Sequence, residues 1–87
     1  MLKIERVANG DVVLTVIGQL EADNIRELLV LLAEEPADRR VVLDLKNLVL
    51  VDRSAVRLLQ ECEARGILLR NCSPYIRVWI ASGKEEP

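Results

Sequence analysis

The spacing of apolar and polar residues along the chain predicts a small α/β domain. Some segments alternate or form short apolar runs, as strands do, and others repeat their apolar residues at helical spacing. The predicted strands span residues 2–7, 12–17, 40–45 and 67–69. The predicted helices span residues 22–34, 53–65 and 74–81. The order β-β-α-β-α-β-α indicates a mixed four-stranded sheet with helices packed on it.

The segment 40–59 is the centre of this pattern. Its first part suits a strand buried on both faces, as in a parallel sheet. Residues 47–51 are predicted to be a connector that is too apolar for an exposed loop, so we expect it to lie along the sheet edge beneath the next helix. Asp52 then matches a helix N-cap, because its carboxylate can accept from the first-turn N–H groups. That cap falls at the carboxyl edge of the sheet, where open α/β sheets usually bind their ligands.

Length and boundaries indicate one domain. The chain has 87 residues, and we expect residues 1–81 to form a single domain followed by a disordered polar tail at 82–87. We find no signal peptide and no apolar stretch long enough to span a membrane, which leads us to expect a cytoplasmic protein without membrane insertion.

Composition argues against several classes of function. The net charge is −2 with both signs interspersed, and the only aromatic residues are Tyr75 and Trp79, so we expect no nucleic-acid partner. Histidine is absent and there are two cysteines, a set that does not complete a metal site. The four glycines are scattered, so no phosphate-binding loop is present. We therefore predict no metal and no cofactor.

Three segments together resemble the STAS domain family of the anti-anti-sigma factor type. They read VIGQLEADNIRELLVLL, VVLDLKNLVLVDRSAVRLL and ILLRNCSPYIRVWI, and they occur in the family's order between about Asp11 and Ile80. The resemblance implies a small STAS-like domain that binds a protein partner, an anti-sigma factor or kinase-like protein, without catalysis. It also implies regulation by phosphorylation of a serine directly after the aspartate.

The sequence departs from that motif at the expected phosphorylation site. Arg53 follows Asp52, Ser54 comes next, and Ala55 stands where the family has glycine. A cation thus replaces the acceptor hydroxyl, and we predict that the usual serine switch is absent. Ser54 is either a displaced phosphorylation site or an ordinary first-turn serine.

The predicted partner-binding edge runs from Asp52 to Arg57 with Glu21 beside it. Glu21 is either the acidic loop residue of the family or a solvated glutamate at a helix start. Arg53 is expected either to form a salt bridge to Asp52 or Glu21, or to contact an acidic partner or a bound anion. The full set is Glu21, Asp52, Arg53, Ser54 and Arg57.

Two alternatives and one oligomeric state accompany this interpretation. Within the same fold, the chain is alternatively a subunit of a lipid-transport or stressosome-like assembly. An enzyme using Glu21 and Asp52 as acid and base is disfavoured, because no nucleophile–base pair accompanies them. The family usually continues with another strand and helix, so we expect uncovered apolar surface near Ile67–Leu69 or Trp79 and, from it, a homodimer.

Overall fold

The computed structural model describes residues 1–36 and 38–83 and confirms the predicted α/β class. The strands are β1 (Leu2–Asn9), β2 (Asp11–Leu20), β3 (Val41–Asp44), β4 (Leu48–Val51) and β5 (Leu68–Arg70). The helices are α1 (Ile25–Ala33), α2 (Arg53–Ala64) and α3 (Pro74–Gly83). The predicted order is correct except that the segment expected to be a connector is a fifth strand, β4.

The sheet is built around β2. β1 pairs with it antiparallel along one edge, through a hairpin that closes at Gly10 with a φ of 85°. Along the other edge, β3 pairs parallel with the first part of β2 and β4 pairs parallel with its last part. β5 pairs parallel with β3, so the main strand order is β1-β2-β3-β5.

The prediction of a connector at residues 47–51 was wrong because β4 contains a bulge. Gly18 pairs with Leu48 and Gln19 pairs with Leu50, so Val49 is an extra residue without a partner in the ladder. The bulge allows Leu48 and Val51 to face the core together, although they are three positions apart, while Val49 is 72% exposed. Four successive apolar residues therefore hide the alternation by which strands are predicted. The expected position against α2 is observed.

β2 is longer and α1 shorter than the sequence predicts. Gly18 does not end the strand: it adopts a φ of 99° within it, and a Cβ at this position would collide with the carbonyl oxygen of Met1. Glycine therefore lets the chain continue as far as Leu20. Residues 22–24 then form a turn, and the helix begins at Ile25.

The core lies between one face of the sheet and the helices. Side chains from β2 and β3 pack there against those of α2, which buries five residues, while α1 and α3 lie against α2. The fully buried members with the largest side chains are Leu14, Leu20, Leu28, Leu43, Leu45, Leu59 and Ile76. Cys62 is also buried, and burial raises the pKa of its thiol to about 11. Because the thiol stays protonated at neutral pH, this cysteine acts as a small apolar core residue.

The ends of α2 and α3 follow from their sequences. After α2, the N–H of Ile67 bonds to the carbonyl of Cys62 and that of Gly66 to Glu63, which is the Schellman arrangement with glycine at positive φ. Ser73 caps α3 by accepting from the N–H of Ile76. Helix α3 continues to Gly83, two residues past the predicted end. The rest of the predicted tail, 84–87, lies outside the described residues.

Candidate functional site

The candidate site is the edge of the sheet where β2 and β4 end. Leu20 pairs with Val51 in parallel register, and the N–H of Asp52 reaches the carbonyl of Leu20 at 3.4 Å. Glu21 and Asp52 therefore leave the sheet side by side. The sequence predicts that these two residues meet at one edge, and the pairing of β2 with β4 brings them there.

Asp52 joins the two segments that leave this edge. One carboxylate oxygen, Oδ1, accepts from the N–H of Ala55 at 2.9 Å, which is the predicted cap of α2. The other, Oδ2, accepts from the N–H of Ala22 at 2.8 Å, in the loop before α1. The cap is a local interaction that sequence reveals, whereas the bond to Ala22 spans 30 positions and was not predicted. Both oxygens of Asp52 thus hold backbone in place.

Asn24 fixes the loop that carries Glu21, and sequence analysis missed it. Its side-chain oxygen accepts from the N–H of Glu21 at 2.8 Å, and its side-chain nitrogen donates to the carbonyl of Gln19 at 2.9 Å. The signal was an asparagine just before a helix, a residue type that often bonds to nearby backbone in turns. Together with Asp52, it positions Glu21 from both sides.

The first turn of α2 supplies the remaining predicted residues. Arg53 and Arg57 are exposed and stand four positions apart, which places them one turn apart on the helix surface. Ser54 lies between them in sequence and is half-buried. Leu50, the last outward-facing residue of β4, is 40% exposed just before the cap. The edge therefore presents cations and a carboxylate beside apolar surface.

A second aspartate, Asp44, ends β3 beside Thr15 of β2, five residues before the end of β2 at Leu20, and was not predicted to have a role. It is 5% exposed and accepts from the N–H of Lys46 at 3.1 Å, from Arg70 at 3.3 Å and from the amide of Asn71 at 3.1 Å. Burial alone would raise the pKa of its carboxyl group. The hydrogen bonds from Asn71, Lys46 and Arg70 outweigh burial, and the pKa lies below its ordinary value.

The geometry of the edge suits recognition by contact. Both carboxylate oxygens of Asp52 accept hydrogen bonds from backbone N–H groups, so this residue is poorly placed to take a proton from a substrate. Arg53 and Arg57 are exposed at the start of α2, and Glu21 is half-buried on the neighbouring loop. Within the described residues, no helix has the length and apolar character needed to cross a membrane.

Comparison with known proteins identifies the fold. No protein-family model matches the sequence, and no curated protein matches it either. A solved structure described as that of the anti-sigma factor antagonist SpoIIAA in its unphosphorylated form aligns with a TM-score of 0.60 at 21% identity. The alignment covers 94% of this chain and 83% of the SpoIIAA chain. The predicted STAS-like fold is therefore confirmed.

Proposed function

We propose that this protein is a non-catalytic signalling domain of the anti-sigma factor antagonist type, which binds a protein partner through the edge formed by Asp52–Arg57 and Glu21. The observation that carries the proposal is the double use of Asp52. By holding both the loop of Glu21 and the start of α2, it fixes charged side chains from two separate segments in one rigid rim. Rigid placement of this kind lowers the entropic cost of binding.

The likeness to SpoIIAA supports the kind of partner. That protein is described as an anti-sigma factor antagonist, and we infer an anti-sigma factor as the kind of partner for this chain. For this chain, Arg53 and Arg57 favour an acidic surface on the partner, and the exposed side chain of Leu50 offers an apolar contact beside them.

The substitution of arginine for the expected serine makes attraction at this edge permanent. A phosphorylated serine would place negative charge at the start of α2, and removal of the phosphate would reverse it. Arg53 instead carries a positive charge at every physiological pH. We infer that binding is controlled by the amount or state of the partner.

The test is charge reversal at the edge with a matched control on the same helix. A partner isolated from native cells on the wild-type protein is purified and titrated against each variant. Arg53→Glu should weaken binding by roughly 1–3 kcal/mol if the contact is desolvated, and by far less at the rim. Arg65→Glu makes the same change at the far end of α2 and should bind like wild type.

Thermal melts separate binding from folding. Arg53→Glu should remain as stable as the wild type, because an acidic residue in the first turn favours the helix dipole. If Arg53→Glu binds the partner as tightly as the wild type, the docking edge is elsewhere and the proposal fails.

A further inference from the structure

The face of the sheet opposite the helices carries a continuous row of aliphatic side chains. The strand register pairs Val7 with Val13, Val13 with Val42, and Val42 with Leu68. Paired residues of adjacent strands project to the same face, so the four side chains lie next to one another across β1, β2, β3 and β5. We refer to Val7, Val13, Val42 and Leu68 as the apolar row.

The apolar row is separate from the core of the domain. Its members are missing from the cluster of side chains packed beneath the helices, whereas Leu43, between Val42 and Asp44 in sequence, belongs to that cluster. Val7 at one end is 58% exposed and Leu68 at the other is 50% exposed. Val42, in the middle, is 5% exposed. The row is thus most exposed at its two ends, and exposed aliphatic side chains on a sheet surface are typical of an interaction site.

A polar row lies beside the apolar row, two residues later along β2, β3 and β5 and two residues earlier along antiparallel β1. The same register aligns Glu5, Thr15, Asp44 and Arg70 across the four strands. The row has an acidic end on β1 and a basic end on β5. The side chains at these ends are half-exposed, at 54% for Glu5 and 51% for Arg70. They are therefore accessible to a second molecule even though each also has a neighbour in its own chain, Lys3 for Glu5 and Asp44 for Arg70.

We propose that this face binds the same face of a second copy of the chain, about a two-fold axis parallel to the strands. Such an axis reverses the order of each row in the partner. Leu68 of one copy then lies over Val7 of the other, and Arg70 lies over Glu5, at both ends of the interface. Apolar side chains then meet apolar side chains, and the basic end of the polar row meets the acidic end. The face is therefore complementary to itself, as a two-fold interface requires.

The charges favour this arrangement over the one produced by a two-fold axis perpendicular to the strands, along the rows. A two-fold axis along the rows would place Val7 over Val7 and would not bring Glu5 to Arg70. Four strands spaced about 4.8 Å apart make rows only about 15–20 Å wide. The buried surface is then smaller than the roughly 800 Å² per partner of a standard interface. We therefore expect a weak dimer that forms as concentration rises.

The first experiment is sedimentation velocity over a wide range of concentrations. The wild type should shift from monomer to dimer, and Leu68→Glu should raise the dissociation constant at least about tenfold, because a carboxylate would be buried without a partner. Val78→Glu is the control, since this valine is 66% exposed on α3, among the helices, and its variant should dimerise like wild type. A wild type that remains monomeric at high micromolar concentration overturns the proposal, as does a Leu68→Glu protein that still dimerises.

The second experiment determines the axis by cross-linking. Face-to-face sheets lie about 10 Å apart, so a short bis-maleimide is used, since disulfides span less than about 7 Å between Cα atoms. Both proteins carry Cys72→Ser, which removes the half-buried thiol. A mixture of Val7→Cys and Leu68→Cys proteins should cross-link, and each protein alone should not. Efficient cross-linking of Val7→Cys with itself would establish the other axis and overturn the arrangement.

This inference does not rest on the proposed function, because the two surfaces lie on different parts of the molecule. Arg53→Glu should leave dimerisation unchanged, and Leu68→Glu should leave partner titration unchanged. The dimer also refines the expectation from sequence, which placed uncovered apolar surface near residues 67–69 but gave no role to the strands beside them.

Discussion

Asp44 ends β3 and Asp52 follows β4, two strands that pair parallel with successive parts of β2, yet the protein uses the two aspartates differently. Asp44 is buried, and two of its three donors are side chains from the end of β5. Asp52 is half-exposed, and both of its donors are backbone N–H groups. The carboxylate of Asp44 thus joins the end of β3 to Arg70 and Asn71, whereas that of Asp52 joins the loop before α1 to the start of α2.

The difference shows how position along the chain decides the role of one residue type. At the end of β3, Asp44 pairs with Arg70, the last residue of β5, and Asn71 follows Arg70 directly. Beyond β4, the chain enters a helix whose free N–H groups supply the donors. The carboxylate of Asp52 therefore orders backbone at the start of α2, whereas that of Asp44 orders the side chains of Arg70 and Asn71.

Removing Asp44 should have the largest effect. Asp44→Ala deprives Arg70, Asn71 and the N–H of Lys46 of their acceptor, and we expect a loss of about 2–3 kcal/mol in the free energy of unfolding. Urea melts of the variant and of Glu5→Ala, an exposed carboxylate in the same row, give the measurement. Glu5→Ala should change little, and equal losses in the two variants would contradict a special role for Asp44.

Removing Asp52 should cost less. Asp52→Ala loses the cap of α2 and the bond to Ala22, and we expect a loss of about 1–2 kcal/mol by the same urea melts. Asp52→Asn keeps one acceptor oxygen and should fall between the wild type and Asp52→Ala. If Asp52→Asn equals the wild type, the bridge between the two segments contributes nothing to stability.

As the pH falls, the contribution of Asp44 to the free energy of unfolding should decrease before the protein unfolds for other reasons. Because its folded-state pKa lies below its ordinary value, this stability is present above the unfolded pKa of about 4 and disappears as the pH falls through the folded value. Asp44→Asn should therefore show a flatter decline of stability between about pH 5 and pH 2 than the wild type.

A second carboxylate provides the control for that acid titration. Glu35 also has a lowered pKa, because the side chain of Arg6 donates hydrogen bonds to it at 2.7 and 3.0 Å. Glu35→Gln should flatten the same region independently, and the two changes should add in the double variant. A wild type and an Asp44→Asn protein with parallel acid profiles would argue against the lowered pKa.

The smallest expected change is in phosphorylation. Incubation with a cognate kinase and ATP should leave the wild type unmodified in intact-mass analysis, because Arg53 occupies the position of the acceptor. Arg53→Ser restores a hydroxyl at that position and should gain roughly 80 Da, the mass of one phosphoryl group. A gain of that size in the wild type that vanishes in Ser54→Ala would show instead that the switch has moved by one residue.

Sequence reasoning succeeded where interactions are local. The cap at Asp52 and the start of α3 at residue 74 each depend on a few adjacent residues, and each is found where the sequence predicts it. It failed where contacts join distant segments. The donors to Asp44 lie 26 and 27 positions away, and they become neighbours only through the register of β3 with β5.

The same difference between local and distant contacts decides which parts of the candidate site could be predicted. That Glu21 meets Asp52 required a common sheet edge, which the resemblance to the STAS family implied. That Asp52 binds the N–H of Ala22 required β4 to be a strand paired with β2, and the bulge at Val49 concealed that strand. The role of Asn24 was hidden because its side chain bonds to the loop before it instead of capping α1.

The bulge at Val49 also makes the length of β4 more important than its composition. Side chains in a regular strand alternate, so one added or lost residue reverses the direction of all those that follow. Deleting Val49 would remove the extra residue and close the bulge, leaving Leu48 inward, Leu50 outward and Val51 inward, in phase with their partners in β2. A residue inserted after Leu50 would instead reverse Val51 and shift the cap at Asp52. Replacing Val49 by another residue leaves the phase intact, because its side chain is largely in solvent. Deletion of Val49 should therefore be tolerated better than an insertion beside Val51.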